Sequence, residues 1–354
     1  MSNFRERERD TASSRIIQNK IIPQKRSLNL ELLRIVAMFM VLVIHYDLPI
    51  RGIPTVELWQ SDSSNVSLTI VIQSLVEVCV NCFILISGYF GIRWKWKSFS
   101  NLIFQILFFM LVAYIASLFL RTEVTSPKGL FTFFLTQFTT IWFIIAYLGL
   151  YMIAPILEAY VGNVSERQLT IFLIVFYSFS TFMGYILKCS PEFNEGMSFV
   201  SLGGIYLIGG LLRKSKNNIS KIKGWYAFAG YSFCAIMLTT MFAIELSMGF
   251  GHSPLGYLNP IVIIESVCLF VFFLKLQISD KWRRIILFFS SSAFSVFLFH
   301  VFLRNTYDEL CTWAHNISNG SLLFVFVILI GVFILSVLVD KLRQVSFKAL
   351  MKLF

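Results

Sequence analysis

Ten predominantly apolar stretches succeed one another along this chain, near residues 29–49, 68–90, 100–120, 140–160, 168–187, 198–213, 225–247, 259–277, 285–304 and 321–340. A bilayer core roughly 30 Å thick takes about 20 apolar residues per helical crossing. The pattern predicts an all-α, polytopic membrane protein with about ten transmembrane helices. Composition agrees. The chain is 57% hydrophobic and 14% charged, with 38 Phe, and its mean hydropathy is +0.74. Soluble domains carry about 25% charged residues. The sixth stretch is the shortest, and it holds the pairs Gly203-Gly204 and Gly209-Gly210. The apolar run 130–139 reads as a re-entrant or interfacial piece.

Charge orients the spans. With the N-terminus inside, 24 of the 30 Lys and Arg fall in inside segments and 5 in outside ones, and Arg34 lies within the first span. Positive charge concentrates in cytoplasmic loops, so both termini are expected in the cytoplasm. The protein is expected in a bacterial cytoplasmic membrane. The net charge of +11 is then carried by loops that face anionic lipid or an anionic cytoplasmic ligand, and no nucleic acid is required. Residues 1–27, with alternating Arg and Glu at 5–9, read as a disordered arm and not as a cleavable leader. The membrane domain is expected over 28–343, with a short cytoplasmic tail at 344–354. No repeat or second domain is apparent.

The six cysteines suggest no disulfide framework. Cys79-Val-Asn-Cys82 has CxxC spacing, but within an apolar run a packing role is favoured over redox chemistry or zinc. No histidines have metal-ligand spacing, and no Walker A signature occurs.

The first span carries Glu31, Arg34 and His45 among apolar residues. Placing a charge inside a bilayer costs at least about 2.5 to 3.5 kcal/mol, so such residues are functional candidates. Arg34 and His45 are eleven positions apart, close to three helical turns. They share a face and stand about 16 Å apart along the axis. The predicted topology puts Arg34 toward the cytoplasm and His45 near the outer face. His300, on the ninth span, falls at similar depth to His45. His252 and His315 are expected to be solvated in outer loops. Glu77, Glu158, Glu245 and Glu265 are further intramembrane carboxylates, some expected to pair with Arg34 or with hydroxyls.

Leu30-Glu31-Leu32-Leu33-Arg34 through Val43-Ile44-His45 resembles the opening helix of the acyltransferase family 3 membrane proteins. That helix has a basic residue, ten intervening residues and a histidine. Asn81 through Phe90, with Ser87-Gly88-Tyr89, is similar to the family's aromatic-rich Ser-Gly-Tyr segment. Trp142-Phe143, Tyr147 and Pro155 follow in the same style, and Phe294 through His300 is similar to a late helix that ends in a histidine. Where the family often has clustered arginines after the Ser-Gly-Tyr segment, this chain has Arg93, Lys95 and Lys97 interleaved with Trp94 and Trp96. The resemblance spans nearly the whole chain. It implies a ten-span O-acyltransferase of sugars or surface polysaccharides, with His45 as base.

Acyl transfer from a thioester to a hydroxyl needs a proton acceptor and groups that stabilise the developing oxyanion. An imidazole, with an ordinary pKa of about 6.5, suits the first task. Its ordinary alternative is a hydrogen bond to a neighbouring helix. Arg34 suits the donor's phosphates, and a structural pair with Glu31 competes with that role. Glu77 and His300 are supporting candidates. Ser87 is a candidate nucleophile, although helix packing by Ser-Gly is the better expectation. The loop cations Arg93, Lys95 and Lys97, with Trp94 and Trp96, offer charge for phosphates and a ring face for adenine, or a lipid anchor.

The expected activity moves an acetyl group from acetyl-CoA to a hydroxyl of a cell-surface or capsular polysaccharide or its lipid-linked glycolipid precursor. No bound cofactor or metal is expected. The partners would be acyl-CoA, the acceptor, membrane lipid and the polysaccharide-biosynthesis machinery. A transporter or flippase for a lipid-linked sugar or small anion is the alternative, because intramembrane Arg, His and Glu also mark conduction paths. A polysaccharide polymerase fits the first-span motif less well.

Overall fold

A computed structural model describes residues 27–119, 127–251, 253–318 and 320–351. Most of the N-terminal arm and His252 lie outside the described residues. Those described are helical, with no strand among them. In chain order the helices are α1 (Leu28–Arg51), α2 (Val56–Ser61), α3 (Ser63–Val76), α4 (Cys79–Phe90), α5 (Trp96–Phe119), α6 (Pro127–Thr140), α7 (Trp142–Asn163) and α8 (Glu166–Ser180). They continue with α9 (Phe199–Lys214), α10 (Lys216–Ser220), α11 (Gly224–Ser247), α12 (Pro260–Lys275), α13 (Arg283–Ser290), α14 (Ala293–Phe302), α15 (Arg304–Ile317) and α16 (Leu322–Leu350).

Among the described residues, 8 helical segments are long and apolar enough to cross a membrane. They are α1, the joined pair α3–α4, α5, α7, α8 with its π-helical end, α11, the joined pair α13–α14, and α16. The predicted sixth and eighth spans are the shorter α9 and α12, 16 residues each, or about 24 Å at 1.5 Å per residue. Both nevertheless run between the same two ends of the bundle as their neighbours. At one end Arg213 and Lys214 of α9 reach Glu158 and the Val164 carbonyl, and Asn29 at the start of α1 donates to the Leu274 carbonyl at the end of α12. At the other end Asn259, which caps α12, meets Tyr185, Thr181 donates to the Leu258 carbonyl, and the Ser201 hydroxyl of α9 donates to the Phe193 carbonyl.

α1 is the central strut. It packs on α3, α4, α12, α13, α14, α15 and α16 and buries Leu30, Leu33, Ala37, Met38, Val41 and Leu42. In the second span α3 and α4 are joined at Glu77–Val78. Both residues keep right-handed helical dihedrals there, so the chain passes from one helix to the other without unwinding. The closest crossing joins α4 to α9. A Cβ on Gly209 would stand 2.5 Å from the Leu85 carbonyl oxygen, and one on Gly88 would collide with the Tyr206 backbone. Small residues let helix backbones approach in this way. Gly88 of the Ser-Gly-Tyr segment is thus a packing residue.

One expectation is revised. The predicted outer loop carrying His315 is instead the amphipathic α15, which buries Tyr307, Cys311 and Ala314. Its alternation of apolar and charged residues is too polar to register as a span. His315 is therefore not simply solvated, since it is half-buried and 3.1 Å from the Tyr46 hydroxyl. The last helix continues through the expected tail region to Leu350 and buries Arg343 and Phe347. The run 130–139 forms most of α6, which packs between α5 and α7 and exposes Phe131 and Leu135.

Candidate active site

A cavity of about 390 Å³ runs along one face of α1, and its walls include both Arg34 and His45. Helical spacing put these residues on one face, and the bundle turns that face inward. α4 contributes Val80, Phe83 and Ser87, and α5 contributes Asn101 and Gln105. Trp142, Phe143, Tyr147 and Tyr151 of α7 form the opposite wall, with Ser290, Ser291, Phe294 and Phe297 from the ninth span. Tyr257 also lines it, and its ring centroid lies 5.7 Å from that of Trp142.

The cavity lining is chemically mixed. Its polar part consists of amides and hydroxyls, those of Ser98, Asn101, Gln105, Ser290 and Ser291. Asn101 is held from behind, where Arg343 donates to its Oδ1 at 2.9 Å and to buried Asp340 at 2.6 Å. The Ser290 hydroxyl is buried with no partner among the described residues. Its aromatic part has Phe143, Tyr147, Phe294 and Phe297 in ring contact with one another.

Arg34 pairs with Glu31 at 2.8 Å and stays 30% exposed. The structural pair is therefore present, and the same guanidinium belongs to a residue of the cavity wall. His45 is half-buried, and its Nδ1 lies 2.6 Å from Nε2 of His300. The equal depth expected for the two histidines is thus a direct contact. His300 lies behind His45, buried, with its Nδ1 2.7 Å from the Val296 carbonyl.

Other candidates sit elsewhere. Ser87 lines the cavity, but its hydroxyl donates to the Phe83 carbonyl at 3.0 Å. That is the usual back-bond of a helical serine, and it commits the hydroxyl proton to the helix. Glu77 stands at the junction of α3 and α4, two residues before the cavity residue Cys79. Arg93, Lys95 and Lys97 are exposed and do not line the cavity. Their loop touches it indirectly, since the Trp94 ring packs 5.4 Å from Tyr151 and 5.0 Å from Phe99, while Trp96 is exposed. Glu158 is paired with Arg213 at 2.9 Å. Glu265 is fully buried, and neither of its carboxyl oxygens has a partner among the described residues. Cys79 and Cys82 are buried and unbridged.

The polar lining at Ser98, Asn101, Gln105, Ser290 and Ser291 was missed from sequence. Asn101 and Gln105 carried a readable signal, two amides one turn apart on an otherwise apolar span. The serines carried none, since hydroxyls are common in membrane helices.

No curated protein and no solved structure matches the chain significantly. A family model described as an acyltransferase domain matches residues 27–341, nearly the whole of the described bundle and all of the cavity. The chain belongs to acyltransferase family 3 and is a membrane acyltransferase.

Proposed function

We propose that the protein is an O-acetyltransferase of a bacterial cytoplasmic membrane. It takes the acetyl group of acetyl-CoA, presented at the Arg34 end of the cavity. It places that group on a hydroxyl of a cell-surface or capsular polysaccharide or its lipid-linked precursor. The observation that carries this reading is that one cavity is walled by both Arg34 and His45.

In the reaction, His45 takes the proton of the acceptor hydroxyl as its oxygen attacks the thioester carbonyl. The C–O bond forms, the C–S bond breaks, and the imidazolium returns the proton to the departing thiolate. Atoms and charge balance without any bound cofactor. The guanidinium of Arg34 and the amides of Asn101 and Gln105 supply donors to the incoming thioester chain and its phosphates. The 93–97 loop lies next to that end through Trp94 and draws in the anionic donor from the cytoplasm.

The test is release of free CoA by purified protein from acetyl-CoA, with and without surface glycan from cells lacking the gene. Mass spectrometry should show the glycan gaining acetyl groups. The reading predicts acceptor-dependent release that His45→Gln reduces by about a hundredfold, the usual loss for a general base, with the acid limb of the pH–rate profile flattened. Substrate movement into sealed vesicles without CoA release would instead identify a transporter.

A further inference from the structure

His45 has two ring nitrogens, and only one can take a proton from a substrate. We infer that His300 is a positioning residue that holds His45 in its Nδ1–H tautomer, so that the lone pair of Nε2 faces the cavity. The inference rests on the reading of His45 as proton acceptor and deepens it.

A backbone carbonyl has no proton to give. At 2.7 Å from the Val296 oxygen, Nδ1 of His300 must therefore be the donor. In a neutral ring this leaves Nε2 of His300 with only a lone pair. That atom is 2.6 Å from Nδ1 of His45, so the proton between the rings belongs to His45. The Nδ1 edge of His45 is engaged by His300, which does not line the cavity, whereas His45 does. The edge left for the cavity carries Nε2.

The opposite tautomer has two routes, and the surroundings disfavour both. It could place a lone pair of His300 against the carbonyl lone pairs at 2.7 Å, which is repulsive. It could instead make His300 a cation, although that ring is 1% exposed. Burying an uncompensated charge is costly. The nearest charged side chain is the like-signed Arg304, which opens the next helix, α15, and it is already engaged by Asp308 at 2.9 Å. The other titratable neighbours are Tyr307, whose ring centroid is 5.3 Å from that of His300, and Tyr46 with His315. None brings a carboxylate to the pair. The chain Val296 carbonyl–His300–His45 thus does with a neutral ring what a buried carboxylate does for the histidine of hydrolase triads, which is to fix tautomer and orientation. When His45 gains a proton, its Nδ1–H still points at a neutral acceptor, and that hydrogen bond becomes charge-assisted.

The experiment combines spectroscopy with kinetics. The chain has only 4 histidines, so nitrogen-15 histidine labelling of the full-length protein gives few signals, and single His→Gln variants assign them. The expected pattern is protonated Nδ1 with bare Nε2 for both His45 and His300. His300→Phe and His300→Asn, which cannot accept a hydrogen bond at the Nε2 position, should each cut kcat about a hundredfold with KM for acetyl-CoA unchanged. His300→Gln, whose amide oxygen can occupy that position, should recover most of the rate. A bare Nδ1 on His45 in the wild-type protein overturns the inference even if the Phe variant fails to fold. Near-normal kcat in His300→Phe or His300→Asn overturns it as well. A fully active His45→Gln would separately overturn the reading of His45 as base.

Discussion

At the scale of single residues, a shared helical face matters more than the presence of rare side chains. Arg34 and His45 could be read as a pair because helical spacing fixes their relative direction whatever the rest of the bundle does. Arg34→Lys tests the donor role at that end. Charge survives but the planar fork is lost, so KM for acetyl-CoA should rise several-fold with kcat little changed, and an unchanged KM would leave only the Glu31 pair. Ser87→Ala should keep near-wild-type turnover, because the hydroxyl is committed to the Phe83 carbonyl. A collapse of turnover at normal protein level would restore Ser87 as nucleophile. The contact between His45 and His300 was not legible in the same way. Equal depth on two helices follows from topology, but whether two helices adjoin depends on packing among all of them.

At the scale of elements, composition located the long apolar helices, and packing decided the rest. The amphipathic α15 escaped because hydropathy responds to mean apolarity and not to one buried stripe. The extension of α16 escaped because Asp340, Lys341 and Arg343 look like a solvated end. Asp340 and Arg343 are in fact buried and paired at 2.6 Å. Close backbone approach was signalled only by glycines. Gly209→Leu should therefore destabilise the α4–α9 crossing by about 1 to 3 kcal/mol, the usual cost of overpacking. The effect is readable as a lower thermal midpoint, and an unchanged midpoint would show that the two helices can separate freely. The 93–97 segment stands outside the cavity lining. Replacing Arg93, Lys95 and Lys97 together by Gln should raise KM for acetyl-CoA and leave kcat unchanged, whereas an unaltered KM would leave the loop an anchoring role.

At the scale of the whole molecule, the charge asymmetry predicts which end of the cavity meets which compartment. The loop 215–223 gathers with the Arg213–Glu158 end of the bundle, and exposed Cys189 follows α8 at the opposite end. In intact cells a membrane-impermeant thiol reagent should label Cys189 and a cysteine placed at Glu309. It should not label one placed at Lys221. The reverse pattern would invert the topology and the donor path with it. The central claim is that the acetyl donor enters one face of the membrane and reaches His45 through a single cavity. Its most direct test uses uniformly oriented, sealed proteoliposomes with extracted glycan acceptor supplied on both sides and acetyl-CoA on one. The account predicts acetyl transfer only when acetyl-CoA is given to the face that carries the 215–223 loop. Transfer at a comparable rate from acetyl-CoA confined to the Cys189 face would contradict it.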